Sequence, residues 1–371
     1  MKSLLISFFL IQILTFNVSI NLDTYYKEFI SNNGYNLEEN PVTTKDGYIL
    51  SVWHITPKNP NGKVVFFQHG LADTAWCFFQ SGEKSLPFLL LKEGYDVWMG
   101  NTRGNIFSSK HTQSGFHEYS LDDFVQYDLP SMVTLVKERT GGKKMSYIAH
   151  SQGSTIFLML YMHNPSFIES SFDHFSSIGT VPNIAYTKFT PIELLDKLYK
   201  LLSEAKISQS LSLTNEQRLI LSNFCKVFPN ICGAFFDSGA GIKTSKKMDY
   251  KKLYNFVYYY IGGTCKTNLL HWSQIHTMKK LVYYNPNFEK EKTAKAYDIN
   301  NLKKWKIKAL VARTDNDVMS SYQDVTEFYN TISNKSYIKL LDLKMYGHCD
   351  VLAADSAYND IYVPIINFLK N

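Results

Sequence analysis

The chain reads as an α/β protein, a mostly parallel central sheet flanked by helices and interrupted by a mainly helical insertion. Three observations predict this. Short β-rich runs recur between helical stretches: Val64–Gln68, Asp96–Met99, Met145–Ala149, Phe175–Val181, Ile307–Ala312 and Tyr337–Leu343. Several, such as Val64-Val65-Phe66-Phe67, are apolar without alternation, as strands covered on both faces of a parallel sheet are. The alternation then lapses between about residues 183 and 304, where helix starts take over.

Composition fits that class. The 371 residues are 45% hydrophobic and 19% charged, which excludes disordered, collagen-like and disulfide-scaffold chains. Thirty-nine Lys and Arg face 33 Asp and Glu, a net charge of +6 with no block of five like charges. That balance argues against a nucleic-acid partner and describes a soluble surface with a small excess of Lys. The expected organisation is a signal peptide over residues 1–20, a core over 21–183, the helical insertion over 184–304, and the rest of the core over 305–371.

At the amino terminus, Lys2 precedes thirteen largely apolar positions from Leu4 to Phe16. This fits the apolar core of a signal peptide and falls short of the roughly 20 residues that span a bilayer. Ser19 is the available small residue for cleavage, with Asn17 two places before it, so an uncleaved anchor stays as the alternative. The mature chain then starts near Asn21, in the secretory pathway, with no later stretch of membrane length. That compartment permits disulfides, and the chain has five cysteines, Cys77, Cys225, Cys232, Cys265 and Cys349. On one continuous helix Cys225 and Cys232 would stand about 10.5 Å apart, too far for a bridge. Pro229 between them permits a turn, so the pairing stays open. Asn334-Lys335-Ser336 is a glycosylation sequon.

Further along, Ser120 opens a helix that Gly141-Gly142 stops and Pro130 kinks or splits. In the insertion, Thr190-Pro191-Ile192-Glu193 reads as a capping box with Pro at the first helical position. Ile192, Leu194, Leu195, Leu198, Leu201 and Leu202 follow at helical spacing, and Thr214-Asn215-Glu216-Gln217 is a second start. Most of these apolar positions need mean no more than packing.

The chemistry is at Ser151. The strand Met145–Ile148 runs into Ala149-His150-Ser151-Gln152-Gly153, and a helical stretch follows. This is a G-x-S-x-G nucleophile elbow with Ala149 in place of the first glycine, the mark of an α/β-hydrolase fold. The bare pattern is weak and a surface serine in a turn would satisfy it; the strand before and helix after make it specific. A serine hydroxyl needs a base, and the base an orienting acid, in the chain order Ser, Asp or Glu, His. His348 follows the last strand across a short loop, where the base belongs. His150 is adjacent in sequence but points elsewhere at an elbow, so its role reads as structural. Behind Ile307–Ala312, Asp315 and Asp317 are both eligible as the acid. The oxyanion needs preorganised N–H donors. Gln152, after the nucleophile, supplies one, and Leu71 in His69-Gly70-Leu71 is the candidate for the other. Gly70 lets that turn form, and His69 packs rather than reacts. No metal or organic cofactor is required.

With these residues in place, the sequence resembles the acid lipase family, the group of gastric lipase and lysosomal acid lipase. The matching segments are Gln68-His69-Gly70-Leu71, Gly100-Asn101-Thr102-Arg103-Gly104-Asn105, Tyr127-Asp128-Leu129-Pro130, His150-Ser151-Gln152-Gly153, His271-Trp272-Ser273-Gln274, Gln323-Asp324-Val325 and His348-x-Asp350. The resemblance implies Asp317 as the acid, by the register of Gln323-Asp324-Val325, and supports His348, Leu71 and Gln152 in their roles. It also implies that the insertion is a cap with a movable lid over a lipid-binding cleft. The partner is then a neutral lipid, a triacylglycerol or cholesteryl ester, met at an oil–water or membrane interface by a secreted or lysosomal enzyme. Three features depart from the family pattern. Ala149 replaces glycine, Asp315-Asn316 replaces a glycine-rich turn, and the cap holds two cysteines where three are usual, so the usual bridge is expected to have lost a partner. The alternatives are an esterase for shorter, more soluble esters and a non-catalytic lipid-binding protein on the same fold.

Overall fold

The computed structural model describes residues 24–115, 118–188, 212–233, 254, 258 and 261–371. The signal segment 1–20 and the helix start at Thr190-Pro191-Ile192-Glu193, with the leucines behind it, lie outside the described residues.

Nine strands form one sheet: β1 (Leu37–Thr43), β2 (Tyr48–Ile55), β3 (Val64–Gln68), β4 (Asp96–Gly100), β5 (Lys110–His111), β6 (Met145–Ser151), β7 (Phe172–Thr180), β8 (Lys308–Thr314) and β9 (Ile338–Leu343). Their order is β1-β2-β4-β3-β6-β7-β8-β9, with β5 on β2. Pairings from β4 to β9 are parallel, and those of β2 with β1, β4 and β5 are antiparallel. The six expected strands are the parallel set, with small shifts. β7 begins at Phe172, three residues early, because Phe172 pairs with Met145 across a bulge at Met145/Ser146. The antiparallel edge was not expected from the sequence. β1 carries Glu38, Glu39 and Pro41 on a partly exposed edge, a composition that hides a strand.

Burial on both faces explains the unbroken apolar runs. In β3, Val64 and Phe66 pack into one core and Val65 and Phe67 into the other. The aromatic excess goes to the same places. Tyr147, Phe157, Phe172, Phe175 and Trp305 interlock on one face, and Phe29, Trp76, Phe79 and Phe88 on the other.

Ser120 caps its helix through a reciprocal capping box with Asp123. Pro130 does not end the helix, which is divided just ahead of it. A widened π turn over Phe124–Asp128 precedes Leu129–Arg139, with Pro130 in that segment's first turn, where its missing N–H costs nothing. Pro364 follows the π turn Tyr358–Tyr362 in the same way.

Among the described residues of 184–304 the main elements are the helices Asn215–Val227 and Lys266–Met278. The first opens on Thr214, whose hydroxyl accepts from Gln217 N–H while the Gln217 side chain accepts from Thr214 N–H. Contrary to the expectation of a lost bridge, Cys225 and Cys232 are disulfide-bonded, with Cα atoms 5.1 Å apart. The helix ends at Val227, so the Phe228-Pro229 turn shortens the 10.5 Å of a continuous helix. Cys77, Cys265 and Cys349 are buried and unbridged. Asn334 of the sequon is exposed, its side chain capping a short helical turn. No described helix is long and apolar enough to cross a membrane.

Candidate active site

β6 ends in Ser151 and the helix Gln152–His163 begins at the next residue. Ser151 adopts φ 51° and ψ −124°, a conformation a non-glycine residue takes only when its surroundings impose it. Two glycines allow it. A Cβ on Gly153 would stand 2.4 Å from the Gln68 carbonyl oxygen and 2.8 Å from that of His69, so no side chain fits. A Cβ on Gly70 would meet Ser151 Cβ at 2.9 Å. Gly70 is therefore required by close approach to Ser151, not, as expected, by the conformation of its turn. Ala149 is fully buried in mid-strand, paired with Gln68 and Ser177.

Three of the candidate residues meet in one chain of hydrogen bonds. His348 Nδ1 lies 2.7 Å from Asp317 Oδ2, and His348 Nε2 lies 2.8 Å from Ser151 Oγ. A carboxylate only accepts, so Nδ1–H donates to Asp317 and Nε2 accepts the Ser151 hydroxyl proton. Asp317 Oδ1 accepts from the N–H groups of Met319 and Ser320, both at 2.8 Å, which fixes the carboxylate at the end of β8. Asp315 takes a different partner, accepting from Met345 N–H at 2.8 Å. Ser151, His348 and Asp317 are all buried. Leu71, Val181, Ile184, Thr187, Trp272 and Met319 line a pocket with Ser151. Gln152 is buried as the first residue of the helix.

Under this chain lie two further histidines. His69 donates from Nδ1 to Gly70 O, while its Nε2 accepts from Thr102 N–H and Asn105 Nδ2. Burial pushes its pKa down to about 4, so the ring is neutral scaffolding for the loop that carries Leu71. His150 donates from Nε2 to the backbone carbonyl of His348, 3.2 Å away. Burial, helped by the nearby His348, pushes it down to about 3. Its Nδ1 faces Asp73 Oδ2 at 3.9 Å. Burial likewise holds the Asp73 carboxyl well above the carboxylate range and raises the Cys77 thiol. Asp73, Cys77 and His150 have ligand atoms within 4.8 Å of one another, a set without a fourth His, Cys, Asp or Glu among the described residues.

The segment Asn101–Asn105 braces this floor. Arg103 is buried and grips Asp128 through Nε at 2.8 Å and its second terminal nitrogen at 2.7 Å, with Asp46 at 2.6 Å on the other side. Burial raises Asp46, but the hydrogen bonds from Arg103 outweigh it and hold that carboxyl below its ordinary value. The sequence offered no direct signal for these partnerships. Arg103 and Asp128 stand 25 residues apart, and Asp73 carries no spacing motif.

Comparison with known proteins follows the same outline. Residues 26–82 match the model of a partial alpha/beta-hydrolase lipase region, and residues 63–197 that of the alpha/beta hydrolase fold. Gastric triacylglycerol lipase of Bos taurus is 31% identical over 92% of this chain and 90% of its own length. Lipase member K of Homo sapiens is 30% identical over the same shares. The chain belongs to the acid lipase family. It is a lipase, and the sheet is that of an α/β-hydrolase. Solved structures share the fold at low identity. An esterase from Exiguobacterium antarcticum aligns with a TM-score of 0.57 at 13% identity, over 90% of this chain and 100% of its own. A bromoperoxidase from Bacillus anthracis gives 0.55 at 16%, over the same shares. Within the acid lipase frame, His69, Asn101, Arg103 and Asn105 brace the floor of the site, while the segment from His271 to Gln274 is on the helix roofing the pocket.

Proposed function

We propose that this acid lipase hydrolyses the carboxylic ester bonds of neutral lipids, triacylglycerols above all, by a serine mechanism centred on Ser151. The observation that carries the reading is the unbroken chain Ser151 Oγ, His348, Asp317 at 2.8 and 2.7 Å beneath a pocket with apolar walls. Ser151 Oγ attacks the ester carbonyl as His348 Nε2 takes its proton, and Asp317 stabilises the imidazolium. Backbone N–H groups of Leu71 and Gln152 receive the charge on the carbonyl oxygen. The tetrahedral intermediate collapses, the C–O bond to the alcohol breaks, and His348 returns the proton to that oxygen. Water, deprotonated by His348, then releases the fatty acid and regenerates Ser151. In this reading residues 184–304 form the cap and Asp315 is no part of the relay. The triacylglycerol assignment extends to this chain the substrate named for the bovine relative, and the apolar lining by Leu71, Val181, Ile184, Trp272 and Met319 supports it.

A second reading, an esterase for short soluble esters, is favoured by one feature. The free space beside Ser151 is about 20 Å³, room for roughly one water, so a long acyl chain enters only after the wall opens. With residues 1–20 read as a signal peptide, the enzyme belongs to the secretory pathway, secreted or lysosomal, and exposed Asn334 is a site for glycan.

The deciding experiment compares hydrolysis of emulsified trioleoylglycerol with that of a soluble butyrate ester from pH 4 to 8, with Ser151→Ala alongside. Faster turnover on the emulsion, lost in the variant while folding is retained, is the expected result. Activity confined to the soluble ester moves the esterase reading to first place, and activity retained by Ser151→Ala removes Ser151 from the mechanism.

A further inference from the structure

We propose that Trp272 is a positioning and specificity-determining residue for the ester hydrolysis. Its ring forms one wall of the pocket over Ser151, and its indole N–H holds the side chain of Gln152. The proposal rests on the reading above, in which the backbone N–H of Gln152 receives the oxyanion.

Gln152 is buried at the start of the helix that leaves the elbow. Its amide oxygen is bonded by two donors, Trp272 Nε1 at 2.9 Å and Asn268 Nδ2 at 3.4 Å. Both donors belong to one helix, Lys266–Met278, which is remote in sequence from the elbow. An indole nitrogen can only donate, so a buried Trp must find an acceptor, and here the acceptor is the residue next to the nucleophile.

That helix is itself fixed to the core along its length. His271 accepts from Leu121 N–H through Nδ1 at 3.2 Å and donates from Nε2 to Val282 O at 2.8 Å. Gln274 exchanges two hydrogen bonds with the backbone of Asn285, at 2.7 and 2.8 Å. Thr267 donates to Glu118 at 2.9 Å and the Cys265 thiol to Tyr119 O at 3.0 Å. The helix is thus a rigid reference against which the Gln152 side chain is set, and Asn268 is braced in turn by Thr264 Oγ1 at 3.0 Å.

The same indole faces the pocket beside Leu71, Val181, Ile184 and Met319. One side chain therefore meets the bound acyl or alcohol group with its face and holds the oxyanion donor with its edge. A substrate that presses the ring out of place also loosens Gln152, so poor fit lowers the chemical step as well as binding. That coupling is how a pocket wall acts on kcat rather than on KM alone.

The test uses Trp272→Phe, which keeps an aromatic wall without the N–H, Gln152→Met, which removes the acceptor and leaves the helix untouched, and the double variant. Competent sites are counted by covalent titration with an alkylphosphonate, so loss of folded protein does not enter kcat. Loss of one buried hydrogen bond predicts that each single variant loses about fivefold or more in kcat per titrated site, with KM within about twofold. The double variant should be no slower than the slower single, because both remove the same bond. Trp272→Ala should also change the ratio of long-chain to short-chain ester turnover. Unchanged kcat per site in Gln152→Met, or a double variant as slow as the product of the singles, overturns the proposal. Failure of the phosphonate to label Ser151 would instead sink the serine reading, so the two failures are distinguishable. If Trp272→Phe does not fold, Gln152→Met carries the test alone.

Discussion

Asp317 accepts a hydrogen bond from Nδ1–H of His348 at 2.7 Å, while Asp315, two residues earlier on the same loop, is occupied by the N–H of Met345. The carboxylates are equivalent by position in the sequence and are separated only by how the loop after β8 turns. Asp317 folds back on its own backbone, accepting from Met319 and Ser320, and that turn aims Oδ2 inward.

Replacing Asp317 by Asn should therefore cripple turnover, by roughly 10³-fold or more, since an amide can stabilise the wrong tautomer of His348 and cannot stabilise its cation. Asp315→Asn should cost little in rate, because its bond to Met345 N–H survives in the amide. Steady-state kinetics on a soluble ester at pH 7 would check both. The reverse order would move the acid to Asp315.

Gly153→Ala should destabilise the fold by about 2 kcal/mol or more, because its Cβ would press on two backbone carbonyls that cannot swing aside. Gly70→Ala should act elsewhere. Its methyl would contact Ser151 Cβ, so the expected loss is in kcat with a smaller change in stability. Urea midpoints beside kcat for the pair would separate the effects. A harmless Gly153→Ala would mean that the elbow has more room than this packing allows.

Arg103→Lys tests the floor of the site. The guanidinium spans Asp128 and Asp46 and stacks over Tyr48, with its centre 4.3 Å from the ring. A lysine ammonium reaches one carboxylate and leaves the fully buried Asp128 short of partners, so about 3 kcal/mol should be lost. Chemical denaturation measures it. A loss below about 1 kcal/mol would show that water or another group takes over the bonding to Asp128.

The difference between what could be read in the sequence and what could not is physical. β3 was legible because both faces are buried and Val and Phe follow one another without polar interruption, and β6 because the elbow it leads into marks its end. β1 escaped because an edge strand tolerates Pro41 and the acidic pair beside it. The elbow was legible because its constraint is local: Ser151, Gln152 and Gly153 must be adjacent. The hold of Trp272 on Gln152, of Asp128 on Arg103 and of His150 on the His348 carbonyl joins residues 120, 25 and 198 apart, and no periodicity encodes such pairs. The cysteine bridge turned on whether the helix stops at Val227, a boundary that spacing alone leaves undecided.

Asp73 makes the last prediction, about stability and pH. The carboxyl is fully buried and accepts from Thr74 N–H through Oδ1, with the Cys77 thiol and the Gly70 backbone also hydrogen-bonding to it, and burial outweighs these bonds. Burial holds its pKa well above the ordinary value of about 3.9, so above that pH the folded state keeps a proton that the unfolded chain has shed. Stability from this group is therefore full in acid and falls as pH rises, by about 1.4 kcal/mol per pH unit until the folded pKa is reached. His69 and His150 act in the opposite sense. With folded pKa values of about 4 and about 3, they refuse a proton that the unfolded chain takes up below about 6.5, so their contribution is lost as pH falls through that window. Asp73→Asn removes the first trend and leaves the second. The stability of the variant relative to the native chain should be higher at pH 7.5 than at pH 4.5, read as the difference between urea-unfolding free energies. A difference that stays flat or declines over that range would mean that Asp73 is charged in the folded protein, with His150 the nearest group able to neutralise it.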